Sequence, residues 1–338
     1  MIREKTGLFC IFASRNRINS MKNEESIYID ELYMCRCLQL ARNGLMGARP
    51  NPMVGCVVVA EGRIIGEGYH IHHGEGHAEV NAFASVRQED EALLPKSTVY
   101  VSLEPCAHYG KTPPCCDLII SKGVKRVVVG CQDSFSKVQG RGIQRIREAG
   151  IEVTVGVLEH ECRALNKRFF TFHEQHRPYV ILKWAQTANG FIDDHGHALA
   201  ISTPFTKMLC HRLRAEEDAI LVGRVTDERE HPLLNVREWV GKDPLRLVLG
   251  NGMDLHKLMD DLYLHDIQSL IVEGGNKTLS SFLDTGLWDE LHVEVAPMTV
   301  TDGTPAPIVP TDAYQFDHED WDHHVIYYYR CNRYRQSF

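Results

Sequence analysis

His77-Ala78-Glu79, followed by Pro105-Cys106 and then by Cys115-Cys116, is the stretch that decides the fold. One imidazole and two thiolates fill three corners of a tetrahedral zinc site and leave the fourth open to water. That is the layout of a catalytic zinc, not of a closed structural one. Cys115 supplies the second thiolate in this reading, with its neighbour Cys116 as the alternative. Glu79 is then free of the metal and can pass protons between water and a leaving group. Two other readings compete: a buried histidine with unrelated cysteines, and a zinc that only staples a scaffold. A stapling site has no use for a carboxylate beside an open coordination position, so Glu79 counts against the scaffold.

The surrounding periodicity places these residues. Residues 77–87 read as a helix whose first turn carries His77 and Glu79, and 98–103 as a strand that delivers Cys106 at its end. A second helix opens at Cys115 and runs to 122. Upstream lie a helix over 27–43 and a hairpin of 53–60 with 64–69. Downstream, a strand at 127–131, a helix at 143–149 and a strand at 151–157 complete a three-layer α/β domain over residues 21–170. A linking helix is expected at 159–174, with a boundary at Arg177-Pro178. A second α/β domain occupies 178–338. Its strands are expected at 179–185, 219–223, 245–249, 268–272, 290–296 and 324–330, and its helices at 203–217, 254–265 and 276–283.

Composition sets outer limits. The 338 residues are 43% hydrophobic and 24% charged, as in an ordinary globular protein of two domains. A net charge of −8 lacks the basic face of a nucleic-acid binder, so no nucleic-acid partner is expected. No stretch reaches the length of a membrane span. Eleven cysteines, an odd count with two at metal-ligand positions, point to a reducing cytoplasm. Residues 1–20 carry a short apolar run without a cleavage site. They read as a disordered leader from a start called too early, with Met21 as the natural start.

The H-x-E and P-C elements are the signature of zinc-dependent nucleobase deaminases. In the general pattern two residues separate the paired cysteines, whereas here Ala-His-Tyr-Gly-Lys-Thr-Pro-Pro lies between Cys106 and Cys115. That loop, with Pro50-Asn51-Pro52-Met53-Val54-Gly55 and Gly68-Tyr69-His70, closely resembles the bifunctional riboflavin-biosynthesis family. Members of that family join a diaminohydroxyphosphoribosylaminopyrimidine deaminase to a 5-amino-6-(5-phosphoribosylamino)uracil reductase. The second domain resembles the reductase half through Lys183, Gly190, the run from Leu213 to Gly223, and Val272-Glu273-Gly274-Gly275.

The resemblance implies a cytidine-deaminase-like domain followed by a dihydrofolate-reductase-like α/β domain. It implies zinc on His77, Cys106 and Cys115, because the family places that ligand directly after Pro-Pro, and Glu79 as the proton carrier. Asn51, His70, His108, Lys111 and Asp133 fall where the family holds its phosphorylated pyrimidine. Arg214, Leu234, Arg237 and Glu273 fall where its reductase half does so. Ala185, Thr226, Glu230, Gly274 and Gly275 fall where it holds NADPH, and a homodimer is implied. Plainer roles stand beside these: a turn for Asn51, surface ion pairs for the arginines, a tight turn for the glycine pair.

The chain also departs from the family. Ser134-Phe135-Ser136 replaces Pro-Asn-Pro after Asp133, Asn189 replaces Asp before Gly190, and Glu230-His231-Pro232 replaces Asp-Asp-Pro. Ala200 stands at a common Trp position. Only a few residues separate the strand at 245–249 from the next helix, where the family carries further strands and loops. The reductase half is therefore expected to be shortened. A monofunctional deaminase with a silent second domain is the main alternative, and a nucleic-acid base deaminase the lesser one.

Overall fold

The computed structural model describes residues 21–109, 113–134 and 140–334. Lys111 and Phe135 lie outside these, as does the expected leader at 1–20. The chain divides into two compact units between Leu165 and Asn166.

The first unit is a five-stranded sheet in the order β2-β1-β3-β4-β5. Its strands are β1 (Gly55–Ala60), β2 (Arg63–Tyr69), β3 (Thr98–Leu103), β4 (Arg126–Cys131) and β5 (Glu152–Val155). β1 runs antiparallel to β2 and β3, while β3, β4 and β5 are parallel. The hairpin turns at Glu61-Gly62, both with positive φ, which gives the backbone the twist that a two-residue loop needs.

Alternation along the strands produces the layers. Cys56, Val58, Val99, Val101, Val127 and Val129 form one buried core with residues of three helices. These are α2 (Ala78–Ala84), α3 (Cys115–Ser121) and α4 (Arg141–Glu148). Against the other face lie α1 (Met21–Arg42), across β1 and β3, and α5 (Glu159–Leu165), against β4. Asp30 of α1 accepts hydrogen bonds from Tyr100 (3.0 Å) and from Arg126 (2.8 and 2.7 Å), tying that helix to β3 and β4.

The expected linking helix breaks at Asn166, whose φ of −106° and ψ of 29° leave the α region. Past this break, α6 (Lys167–Gln175) buries Phe169, Phe170 and Phe172 and packs on the first strand of the second unit. The division therefore falls ahead of Arg177-Pro178, because the apolar face of α6 is satisfied by the second sheet.

That sheet has seven strands in the order β11-β12-β10-β6-β9-β7-β8. They are β6 (Tyr179–Thr187), β7 (Ala219–Gly223), β8 (Leu245–Leu249), β9 (Ser269–Glu273), β10 (Glu290–Ala296), β11 (Tyr314–Trp321) and β12 (His324–Arg330). Strands β10, β6, β9, β7 and β8 are parallel, and β12 and β11 close the sheet antiparallel. The connecting helices are α7 (Pro204–Glu216), α8 (Arg224–Glu230), α9 (Leu255–Leu264) and α10 (Asn276–Thr285). Thr203 caps α7 by accepting from the Thr206 N–H at 3.1 Å, and Asp254 caps α9. β8 is the outermost strand, and only residues 250–253 separate it from the cap of α9. The short connection expected from the sequence is present.

Glu290 is buried in this unit, accepting from Lys167 at 2.7 Å and Arg330 at 2.9 Å, with His292 at 3.4 Å. Burial opposes its charge, but these cations hold its carboxyl well below the ordinary carboxylate range. A depressed folded-state pKa contributes stability that is present above the unfolded value, about 4.3, and lost as pH falls below it. Glu290→Gln leaves buried cations uncompensated and is expected to cost roughly 3–5 kcal/mol at neutral pH. The gap between variant and wild type should close on acidification below about pH 4, followed by thermal unfolding. A gap independent of pH would contradict the assignment.

Candidate active sites

In the first unit, three segment ends converge. His77 is the N-cap of α2, with extended backbone and an imidazole that makes no cap bond, so the ring is available to the site. Cys106 comes just after the end of β3, and Cys115 is the first residue of α3. The Cys106 and Cys115 sulfurs lie 3.6 and 3.4 Å from His77 Nδ1, and the three ligand atoms all fall within 4.8 Å of one another. One imidazole and two thiolates in so small a space fit zinc, which favours nitrogen and sulfur donors. The Cys115 backbone N–H donates to Cys106 Sγ at 3.3 Å. Cys115 and His77 side chains, with that N–H, pull the Cys106 thiol down to about 4. The thiolate is the form a metal requires. Cys116 turns away, fully buried in the apolar core with Ile119 and Val127, so the choice between adjacent cysteines falls on Cys115.

Glu79 sits in the first turn of α2 and is 3% exposed. Burial, with the Cys106 thiolate adding to it, pushes its carboxyl up to about 7. His70 lies edge-on to His77 with ring centroids 5.2 Å apart. Its Nδ1 is 3.2 Å from the Gly76 carbonyl and its Nε2 is 3.0 Å from Asn51 Nδ2. Donation from Nδ1 to the carbonyl leaves Nε2 to accept from Asn51, so a neutral His70 sets the orientation of the Asn51 amide. Asn51, His70 and His77 thus form one wall. Asp133 is buried, and its backbone N–H donates to Glu104 Oε2 at 3.3 Å. His108 is exposed on the loop between the thiolates.

The expected residues of the second unit gather on the α7 side of the sheet, near the carboxyl ends of β6, β9 and β7. Arg214 of α7 and Glu273 at the end of β9 pair with each other through two bonds of 3.1 and 2.8 Å. Arg214 Nη1 and His211 also reach the Asn235 carbonyl at 3.3 and 2.7 Å, which pins the loop carrying Leu234 and Arg237 to α7. The Leu234 side chain is buried with Ile220, Val222 and Ile271, so only its backbone is free to face a ligand. Arg237 is exposed and touches only its neighbours Asn235 and Glu238 among the described residues.

Lys183, paired in register with Glu273 and His292, lines a cavity of about 140 Å³ with Thr206, Cys210 and Glu294. That is below the 300–1,000 Å³ of ligand pockets, so a larger ligand would need the open crevice beyond the strand ends. Gly274 and Gly275 lie there, ahead of α10. A Cβ on Gly274 would come within 3.1 Å of the Gly223 nitrogen, and the Gly275 N–H donates to Thr226 Oγ1 at 3.0 Å. This turn stands at a helix N-terminus, where a phosphate would be held, with the Gly275 N–H taken by Thr226. Ala185 is half-buried on β6, and Glu230 is exposed at the end of α8. Asn189, in the family's Asp position, donates to the Val300 carbonyl at 2.7 Å and accepts from Thr187 at 2.9 Å, a dual role that a carboxylate lacks.

Residues 27–131 match the family model for the cytidine and deoxycytidylate deaminase zinc-binding region. Residues 178–254 and 245–318 match the RibD C-terminal domain. The riboflavin biosynthesis protein RibD of Aquifex aeolicus is 38% identical over 320 residues, covering 81% of this chain and 89% of the relative. The chain belongs to the RibD family.

RibD of Escherichia coli is 34% identical over 326 residues, covering 79% of this chain and 88% of its own. A crystal structure of the Thermotoga maritima deaminase/reductase superposes with a TM-score of 0.82 at 34% identity, covering 90% of this chain and 99% of that one. The chain is thus a bifunctional RibD, an enzyme with a zinc-binding deaminase domain and a RibD reductase domain. The two matches to the RibD C-terminal domain overlap at 245–254, where β8 passes directly to α9. The ten described cysteines are free thiols, and no described helix is long and apolar enough to cross a membrane.

The readings from sequence missed Glu104. It precedes the Pro-Cys pair, yet its partners lie 29–39 residues away along the chain.

Proposed function

We propose that the first unit deaminates 2,5-diamino-6-(5-phosphoribosylamino)pyrimidin-4-one and that the second reduces the product with NADPH, turning its ribosyl group into a ribityl chain. The observation that carries this is the meeting of His77, Cys106 and Cys115 within 4.8 Å, with Glu79 buried two residues along α2 from His77. Zinc held by His77, Cys106 and Cys115 would make water acidic enough to act as a nucleophile at neutral pH. Glu79 takes the proton that water loses on attacking the amine-bearing carbon and returns it to the departing ammonia. Asn51, oriented by His70, holds the edge of the base, with His108 and Asp133 around it; Lys111 keeps the substrate role that the resemblance implies. Burial lowers the pKa of His70, so it serves as a neutral ring.

In the second unit, Thr226, Gly274 and Gly275 would hold the cofactor, flanked by Ala185 and Glu230. Arg214 is committed to Glu273 and to the Asn235 carbonyl, so it orders the substrate loop, and Arg237 is the guanidinium left to hold the phosphate. The protein acts in this reading as a cytoplasmic homodimer on a small phosphorylated pyrimidine.

Supplying the deaminated product with NADPH tests the shortened half by itself. Oxidation of NADPH is expected. Arg237→Ala should raise the substrate KM roughly 10–100-fold with kcat nearly unchanged, the loss of one charged contact. No oxidation would leave a deaminase with a silent partner domain, and an unchanged KM would remove Arg237 from the site.

A further inference from the structure

The two thiolate-bearing segments belong to different elements, and the loop between them is long. A third element, α4, touches both. Its N-terminal N–H groups, on Gly142 and Ile143, donate to Glu104 Oε1 at 3.0 and 3.3 Å. Glu104 Oε2 accepts from Asp133 and Gly140 at 3.3 and 3.0 Å. Glu104 is 4% exposed, and its four backbone donors leave it no other occupation.

Position 142 has no room for a side chain, since a Cβ there would fall 1.9 Å from the Pro105 carbonyl oxygen. One turn further along α4, Arg145 donates to the Ala107 carbonyl at 3.3 Å and pairs with Asp117 at 2.5 Å. Ala107 is the residue after Cys106, and Asp117 lies two residues past Cys115.

We propose that α4, which carries no metal ligand, is the clamp that fixes the spacing of the Cys106 and Cys115 thiolates, with Glu104 and Arg145 as its positioning residues. The clamp rests on the reading of His77, Cys106 and Cys115 as the zinc site. Glu104 holds the helix start against the residue before the Pro-Cys pair. Arg145 then bridges the segment after Cys106 to the helix that Cys115 opens. Outer groups of this kind hold first ligands in their metal-binding geometry.

The test measures zinc affinity of the full-length chain by competition with a chromogenic chelator, together with the thiolate-to-cobalt charge-transfer band of the cobalt-substituted protein. Glu104→Gln keeps the side-chain shape but turns an NH2 group toward backbone donors. Arg145→Met keeps the stem and loses both polar contacts. Each is expected to weaken zinc binding roughly 10–100-fold and to alter the cobalt band.

Arg147→Met is the control. Arg147 lies on the same helix and also donates to a backbone carbonyl, Val153 at 3.3 Å, but on the side away from the thiolates. It should bind zinc as wild type does, and metal-free Arg145→Met should unfold alongside the metal-free wild type. If Glu104→Gln fails to fold, Arg145→Met decides alone. Wild-type zinc affinity in Arg145→Met, or an equal loss in Arg147→Met, would overturn the clamp and leave the zinc site standing. A wild-type chain that binds no zinc would overturn both.

Discussion

Glu79→Gln is expected to keep one zinc per chain and to release ammonia roughly 10²–10⁴-fold more slowly than wild type, the range that a positioned proton carrier contributes. Glutamine has the shape of glutamate and fits the same buried place at the start of α2. It still forms hydrogen bonds there, so neither the fold nor the ligands His77, Cys106 and Cys115 should notice the change. It lacks only a site that can take a proton and give it back. Metal content and ammonia release, measured on the same preparation, separate these effects. Normal turnover would show that another group carries the proton, and loss of zinc would show that the substitution had disturbed the ligands.

The second large effect concerns neighbours. Cys115→Ser should lose zinc and deamination together, whereas Cys116→Ser should keep both. Successive residues of a helix point about 100° apart. Cys115 faces His77 at 3.4 Å, and Cys116 faces the apolar core. A serine at 116 places a hydroxyl in a buried apolar site where the Asp117 carboxylate, 3.6 Å from the Cys116 sulfur, is a polar neighbour, at a cost of about 1–3 kcal/mol or less, a stability change rather than a metal change. A Cys116→Ser protein that purifies without zinc would reverse the assignment.

The motif pointed to Cys115 and left Cys116 as the alternative. His77, Glu79, Cys106 and Cys115 stand out because open-site zinc chemistry needs those residue types, and because they sit at the ends of strongly patterned segments. Most strands were legible for the same reason: β3, β7, β10 and β12 alternate or run apolar in a way that only a buried sheet requires. β11 was not, since its Asp317, Glu319 and Asp320 read as loop. Charge of this kind guards an edge strand against pairing with strangers.

The break at Asn166 was hidden because 159–174 carries one continuous helical pattern, and only the burial of Phe170 and Phe172 assigns its second half to the other sheet. Long-range pairs were beyond reach as well. Nothing near Arg214 announces that Glu273, 59 residues on, will take up its guanidinium. The burial of the Leu234 side chain, which leaves its backbone for the expected substrate contact, was equally hidden.

Zinc-dependent deamination is tested most directly by ammonia release from the diaminopyrimidinone ribosyl phosphate, using the purified chain with and without one equivalent of zinc. Stoichiometric ammonia is expected from the zinc-loaded protein and none after the metal is stripped, with recovery on adding zinc back. Equal release from both forms, or none from the zinc-loaded protein, would contradict it.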